Sequence, residues 1–342
     1  MQGGDSMDRN TVFNITKATG IGPGEHVLIH FWGEDSDRDA ANAFSAAVAA
    51  LGATPFVLQQ SRSANFDLFS TAAEGSFDDA YFEAFARFDT VLDIFAYRPI
   101  ILDRELPPEK MSLYRRYIKN LFYALMKARR FVQLRLPTAA NAEESGLDRE
   151  DYIRRMNAAY SIDLDALKKR CTQAVRDLSA NDRYVIATGE NCVLHLDLTG
   201  RPWHIDAGDG DWPCGEVYIA PVENAHGRVF FEKLFVEDTG CFENVTLEFA
   251  DGRLASADHS AVSKFIDALS PADRVLCELG FGMNPNVGDL CGYAVLDEKM
   301  CDTFHIAIGA NTMFGGKNNS KVHMDFVHTG GFHVSPVQQA RE

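Results

Sequence analysis

The sequence has no long apolar run and little positive charge. Its 342 residues contain no uninterrupted stretch of about 18 apolar residues, the length that a membrane-spanning helix needs. Residues 1–14 are polar and acidic, so we expect no export signal and a cytoplasmic protein. Only 33 lysine and arginine residues stand against 49 aspartate and glutamate residues, a net charge of −16. This charge repels nucleic acid and anionic membranes, and we expect neither as a partner.

Several motifs that define common protein classes are also missing. The seven cysteines are odd in number and include no CxxC pair, which argues against a disulfide framework and a zinc ribbon. There is no P-loop and no G-x-S-x-G elbow. Gly20, Gly22 and Gly24 precede the first predicted strand instead of following it, which is the reverse of the dinucleotide fingerprint.

The composition that remains, with 46% hydrophobic and 24% charged residues, is that of a folded chain long enough for two domains. In the first half, apolar runs at 27–31, 56–58, 88–97 and 130–137 alternate with helical segments, which indicates a parallel α/β domain. From about residue 183, short apolar runs separated by turns indicate antiparallel sheet, with hairpin signals at Thr199-Gly200 and Asp251-Gly252. We therefore predict an α/β domain with connecting helices over 1–180 and a β-rich domain over 181–342.

The segment "HIAIGANTMFGGKNNSKVHMDFV", residues 305–327, contains the first candidate site. His323 and Asp325 are two residues apart, so on a strand both side chains lie on one face, as two ligands of one ion require. His305 begins a second apolar run that a hairpin-like return would bring beside His323. A hydrogen-bonded core histidine is the alternative interpretation of each histidine.

Two acids near predicted strands extend this candidate site. Glu278 lies in "CELGFGMNPN" and Glu216 in "PCGEVYIAP". Burying a carboxylate without a countercharge is unfavourable, and a divalent cation is a common partner. The alternative for each acid is an exposed position at a strand end, where most acids lie.

Taken in order, the segments "GEVYIAPVE", "ELGFGMNP", "LDEKMCDTFHIAIG" and "VHMDFV" resemble the aminopeptidase T group of metallopeptidases. The resemblance extends to "PGEHVLI", "LPTAANAEESGLDREDY" and "LTGRPW", and so covers most of the chain. It implies a two-metal centre between an α/β domain and a second domain, with divalent ions of the zinc, cobalt or manganese type. The ligands implied at the matching positions are Glu216, Glu278, His305, His323 and Asp325.

The chain departs from that family at one place. Its peptidases carry a tyrosine a few residues beyond the first histidine, whereas residues 309–314 contain none. The chain also resembles the ring-cleaving 2,5-dihydroxypyridine 5,6-dioxygenases, whose single Fe(II) is held by two histidines and an aspartate. His305, His323 and Asp325 would form such a face, although those enzymes have a histidine at the position of Glu278.

We therefore predict a metal-dependent hydrolase of an amide or peptide-like bond in a small molecule, with Glu216 and Glu278 as catalytic ligands. Asn311, Lys317 and Asn318 are predicted to bind a polar or anionic group of the substrate. A mononuclear iron dioxygenase is the first alternative, and an inactive metal-binding scaffold is the second. The oligomeric state stays open, with a homodimer as one option.

Overall fold

The computed structural model describes residues 7–189 and 191–337, and within them the chain forms two compact units. The first unit comprises the chain up to Ser161 together with the separate segment Gly208–Cys214. The second comprises Ile162–Ala207 and the chain from Gly215 onward. The structure divides the chain after Ser161, before the helix Leu164–Leu178, whereas the predicted boundary lies after residue 180, beyond the end of that helix. The expectation of no export signal rests partly on residues 1–6, which lie outside the described residues.

The first unit is built on a parallel sheet with the strand order β2-β1-β3-β4-β8. Its strands are β1 His26–Trp32, β2 Thr54–Gln60, β3 Thr90–Phe95, β4 Arg130–Arg135 and β8 Asp211–Trp212. Every residue of β3 is buried, and so is all of β1 except His26. Continuous apolar strands are typical of a parallel sheet that is covered on both faces, so the predicted α/β fold of this part is confirmed.

Seven helices accompany this sheet among the described residues. They are α1 Arg9–Ala18, α2 Arg38–Ala50, α3 Arg62–Thr71, α4 Asp79–Phe85, α5 Pro108–Leu125, α6 Ala139–Glu144 and α7 Arg149–Tyr160. Polar side chains such as Ser61 and Asp148 accept a backbone N–H at the helix start and so define where the helix begins. The long α5 buries Leu113, Tyr117 and Leu121 in the main core of the unit.

The second unit contains two antiparallel sheets. The six-stranded sheet has the order β12-β11-β10-β6-β5-β16 and the five-stranded sheet the order β15-β14-β13-β9-β7. The strands of the first are β5 Arg183–Gly189, β6 Cys192–Asp197, β10 His226–Val236, β11 Gly240–Ala250, β12 Arg253–Ala257 and β16 His333–Pro336. Those of the second are β7 Trp203–Asp206, β9 Glu216–Ile219, β13 Leu276–Gly282, β14 Phe304–Gly309 and β15 His323–His328. The predicted antiparallel second half is confirmed.

In the described part of this unit there are three α-helices: α8 Leu164–Leu178, α9 Ser260–Ala268 and the short α10 Ala294–Asp297. None of the helices in the described ranges combines the length and the apolar character that crossing a bilayer requires.

Of the two predicted hairpin turns, one is confirmed and one is wrong. Asp251 and Gly252, with φ of 50° and 75°, connect β11 to its neighbour β12, because a two-residue hairpin needs positive φ at both positions. The Thr199-Gly200 turn instead leads from β6 in one sheet to β7 in the other. The local turn signal is the same in both cases, and only the long-range strand pairing distinguishes them.

Candidate metal centre

One face of the five-stranded sheet carries all five predicted ligands. In an antiparallel sheet, directly paired residues point to the same side, as do alternate residues of one strand. The pairs Glu278–Ala307 and Ala307–Asp325 place the two acids on either side of a small alanine. His305 pairs with Gly280 on the same face. Glu216 and His323 join this face from the strands β9 and β15.

Gly280 gives the His305 ring its space. A Cβ atom added at Gly280 would lie 2.1 Å from Nε2 and 2.2 Å from Cε1 of His305, far inside van der Waals contact. The His305 side chain is fully buried, so its ring cannot swing out into solvent. The absence of a Cβ at Gly280 therefore allows the imidazole of His305 to lie against β13, within reach of Glu216 and Glu278.

This contact gives a testable prediction. We expect Gly280→Ala to displace the His305 ring and to weaken binding of divalent ions at least about tenfold, because losing a well-placed ligand contact costs this much or more. Metal titration followed by calorimetry measures the change. Gly288→Ala is the matched control, since a Cβ there meets nothing within 4 Å. Wild-type affinity in the Gly280→Ala protein would contradict the assignment.

The acids and histidines face each other at short, even separations. Nε2 of His305 lies 3.4 Å from Glu216 Oε2 and 3.4 Å from Glu278 Oε1. Nε2 of His323 lies 3.3 Å from Glu278 Oε2 and 3.7 Å from Asp325 Oδ1. The two oxygens of Glu278 therefore face two different histidines.

These separations suit ligands around a divalent ion. They exceed ordinary N–H···O hydrogen bonds, whereas ligand atoms bound at 2.0–2.1 Å in a tetrahedron are separated by about 3.4 Å. Nδ1 of His323 lies 3.0 Å from the Ala310 carbonyl oxygen, an arrangement that leaves Nε2 available as a ligand. Among the described residues, buried Glu216 Oε2 and Asp325 Oδ1 accept no hydrogen bond. The donor set therefore fits a metal ion.

Three triads of donor atoms in the described part of the chain are compact enough to hold an ion, with all atoms within 4.8 Å of one another. They are Glu216–Glu278–His305, Glu278–His323–Asp325 and Glu298–His305–Asp325. Glu278 belongs to two of them. The face of His305, His323 and Asp325 that was predicted for a single iron is not among these triads.

The pKa shifts indicate a site with more negative than positive charge. Burial raises the pKa of Asp325 to about 7, and the Glu298 carboxylate adds to this rise. Burial alone would lower the pKa of His305, but Glu278, Glu216 and Asp325 raise it to about 9. Burial opposes ionisation of Glu278 as well, yet its interactions with His305 and His323 lower its pKa to about 2. The negative charge that raises the pKa values of Asp325 and His305 would also attract a metal ion.

Two residues that the sequence interpretation missed complete the cluster. Glu298 joins a donor triad, and Lys299 is fully buried with Nζ 2.5 Å from Glu216 Oε1. In the sequence, the run from Asp297 to Lys299 resembles an exposed charged loop. The only local sign that this run belongs to the site is its position just before β14, the strand that carries His305. Only the fold shows that Lys299 is buried and that Glu298 joins the cluster.

The three predicted substrate ligands lie on the loop between β14 and β15. The Asn318 side-chain amide donates to the backbone oxygens of Gly309 and Ala272 at 2.6 and 2.7 Å. The buried Asn311 side chain accepts from the Asn318 backbone at 2.8 Å. Both amides therefore shape the loop, whereas the Lys317 side chain is exposed.

Fold and site together define a class of protein: a parallel α/β unit joined to a unit of two antiparallel sheets, one of which bears a buried acid–histidine centre. No protein-family model matches this chain, and no curated protein matches it in sequence. The solved structures that share the fold over nearly its whole length include the two described next.

AmpT from Thermus thermophilus matches with a TM-score of 0.66 and 20% identity, over 95% of this chain and 94% of that one. The 2,5-dihydroxypyridine dioxygenase from Pseudomonas putida matches with a TM-score of 0.64 and 15% identity, over 96% and 93%. The resemblance to both groups is thereby confirmed for the fold.

Proposed function

We propose that this chain is a metal-dependent hydrolase that cleaves an amide or peptide-like bond in a small molecule, using two divalent ions. The observation that carries the proposal is the position of Glu278, whose two carboxylate oxygens face two different histidines. A carboxylate shared in this way is suited to bridge two ions. The likeness to AmpT, which is limited to the fold, is consistent with this assignment.

In this proposal Glu216, Glu278 and His305 hold one ion, and Glu278, His323 and Asp325 hold the other. Ions of the zinc, cobalt or manganese type supply Lewis acidity and an activated water when they are bound. His323 is the most exposed of the five ligands, with 36% of its side chain accessible, so substrate approaches from its side.

A mononuclear iron dioxygenase is the second candidate function. The likeness to the Pseudomonas putida dioxygenase favours it, and the triad of Glu278, His323 and Asp325 offers one histidine and two carboxylates to a single ion. Glu216 weighs against it, because Oε2 of this acid lies 3.4 Å from His305 and would be left without an ion.

The number of ions distinguishes these candidates. We expect protein purified under argon and loaded with manganese or zinc to contain two ions per chain, and anomalous diffraction to place them about 3.5–4 Å apart. Iron binding with one ion per chain and no neighbour at Glu216 would refute the two-ion centre. Metal binding without turnover of any substrate class would instead favour the inactive scaffold.

Turnover under air and argon tests the reaction itself. The assay compares leucyl peptides, small amides that carry an anionic group, and hydroxylated N-heterocycles. We expect the small amides to be cleaved equally well in both gases, with Lys317, an exposed cation on the loop between β14 and β15, binding their anionic group. Turnover that stops under argon would refute hydrolysis, and rapid cleavage of leucyl peptides would refute the preference for small molecules.

A further inference from the structure

Lys299 is a fully buried lysine inside the acid–histidine cluster. Its Nζ lies 2.5 Å from Glu216 Oε1, 2.8 Å from Glu298 Oε1 and 3.7 Å from Asp206 Oδ2. An ammonium group has three N–H donors and no acceptor. Glu216 and Glu298 lie within hydrogen-bond distance of the ammonium, and Asp206 lies at the longer distance of an ion pair. The contribution of the ammonium is therefore its charge and its position.

The backbone of Lys299 is held as firmly as its side chain. Its carbonyl accepts from the Asn284 N–H at 2.8 Å, and its N–H donates to the Leu296 carbonyl at 3.1 Å. The neighbouring backbone packs directly on β13 at Gly282, where an added Cβ would lie 1.9 Å from the Met300 oxygen. The fold thus delivers this ammonium to one fixed point of the cluster.

Lys299 also determines which oxygen of Glu216 faces the proposed ions. The ammonium binds Oε1, and Oε2 is left 3.4 Å from His305 Nε2. Glu216 is buried, so its carboxylate has no water-exposed alternative orientation. The lysine therefore orients a predicted metal ligand without itself contacting an ion.

Lys299 also contributes to the charge balance of the cluster. Within the described residues, five carboxylates either belong to the donor triads or lie beside Lys299: Asp206, Glu216, Glu278, Glu298 and Asp325. With neutral histidines and one ammonium they carry a formal charge of −4, which two divalent ions balance. Without the ammonium the charge is −5, and two such ions are insufficient. Buried charge without compensation is strongly unfavourable.

We propose that Lys299 is a built-in cation of the proposed metal centre: its ammonium holds Glu216 and Glu298 together before ions bind, and its charge limits the centre to two of them. This inference rests on the proposed two-ion function. It predicts that the metal-free protein depends on Lys299 far more than the metal-loaded protein does.

The test compares wild type with Lys299→Met, which keeps the length of the side chain and removes its charge. Thermal unfolding is followed for metal-free protein and along a manganese titration, with metal content measured per chain. We expect the metal-free variant to unfold at a lower temperature, because Glu216 and Glu298 lose the buried ammonium that they share. We expect its metal-induced rise in Tm to exceed that of wild type, with a midpoint manganese concentration at least about tenfold lower, since removing a nearby positive charge strengthens cation binding.

Glu298→Gln is the matched control, because it removes one negative charge and leaves the lysine in place. It is expected to shift the midpoint in the opposite direction, to higher manganese. If Lys299→Met folds only in the presence of metal, the proposal is supported. A variant that stays unfolded with metal present, or whose two forms are destabilised equally, shows a purely structural lysine and overturns it.

The wild-type titration separates failure of this inference from failure of the proposed function. A wild-type protein whose Tm does not respond to any divalent ion refutes the metal centre. A wild-type response together with an equal or smaller response of Lys299→Met refutes only the role of the lysine.

Discussion

Replacing Glu278 with glutamine is expected to remove both ions and to abolish turnover. Glutamine keeps the shape of the side chain, but it is neutral and turns one of the two facing oxygens into an NH2 donor. Both donor triads that contain Glu278 lose a charged ligand, and the imidazoles of His305 and His323 lose the carboxylate that they share. We expect metal binding at least about 100-fold weaker, since even indirect support of a ligand is worth 10–100-fold.

Metal content per chain and turnover of the best small amide measure this loss. Glu243→Gln is the matched control, because Glu243 is an exposed acid on β11 of the same unit. The control is expected to keep two ions and full turnover. Retention of two ions by the Glu278→Gln protein would show that this carboxylate does not bridge them.

The second large effect concerns His328 and the dependence of stability on pH. This histidine is buried on β15, stacked on Phe304 with ring centroids 4.8 Å apart and edged by Phe231 and Phe332 at 5.7 and 5.9 Å. Burial in this aromatic surrounding lowers its pKa to about 4, against about 6.5 in an unfolded chain. Between pH 4 and pH 6.5, His328 is therefore mostly neutral in the folded protein and mostly protonated in the unfolded chain.

The sign of the effect follows from the two pKa values. Above pH 6.5 neither state is protonated and the full stability is present. As the pH falls from 6.5 towards 4, only the unfolded chain takes up a proton, and stability is lost by about 1.4 kcal/mol per pH unit. The total for His328 is on the order of 3 kcal/mol.

His328→Leu is expected to remove this part of the pH dependence. Urea denaturation at pH 7 and at pH 4.5 gives the measurement, and the loss of stability between the two should be smaller in the variant than in wild type. The value at pH 7 records the change in packing separately. If both proteins lose the same stability on acidification, His328 is not the residue responsible.

Local patterns in the sequence were sufficient for the fold class and for part of the site. The apolar runs of β1 and β3 indicated buried parallel strands, and the Asp251-Gly252 pair indicated the turn between β11 and β12. The spacing of His323 and Asp325 placed both on one face of β15. These features depend on backbone geometry over a few residues, and the local sequence determines that geometry.

Other features depended on contacts between distant parts of the chain. The Thr199-Gly200 turn carries the same local signal as Asp251-Gly252, yet it joins two sheets. The substrate-binding role of Asn311 and Asn318 stays a prediction, and the structure adds that their amides bond to the backbone of their own loop and of its neighbourhood. Local sequence does not reveal which hydrogen bonds a folded loop will make.

By itself, then, the sequence indicated most of the strands, the shared face of His323 and Asp325, and the residue types that a metal ion requires. Only the tertiary structure decided which of those residues meet. The pairing of β14 with β13 on one side and with β15 on the other brings Glu278 within reach of His305 and His323. The backbone contact at Gly282 places Lys299 in the cluster. The physical reason is that burial and strand register are set by the whole chain, so a charged run such as Glu298-Lys299 becomes part of a site only when the surrounding sheet encloses it.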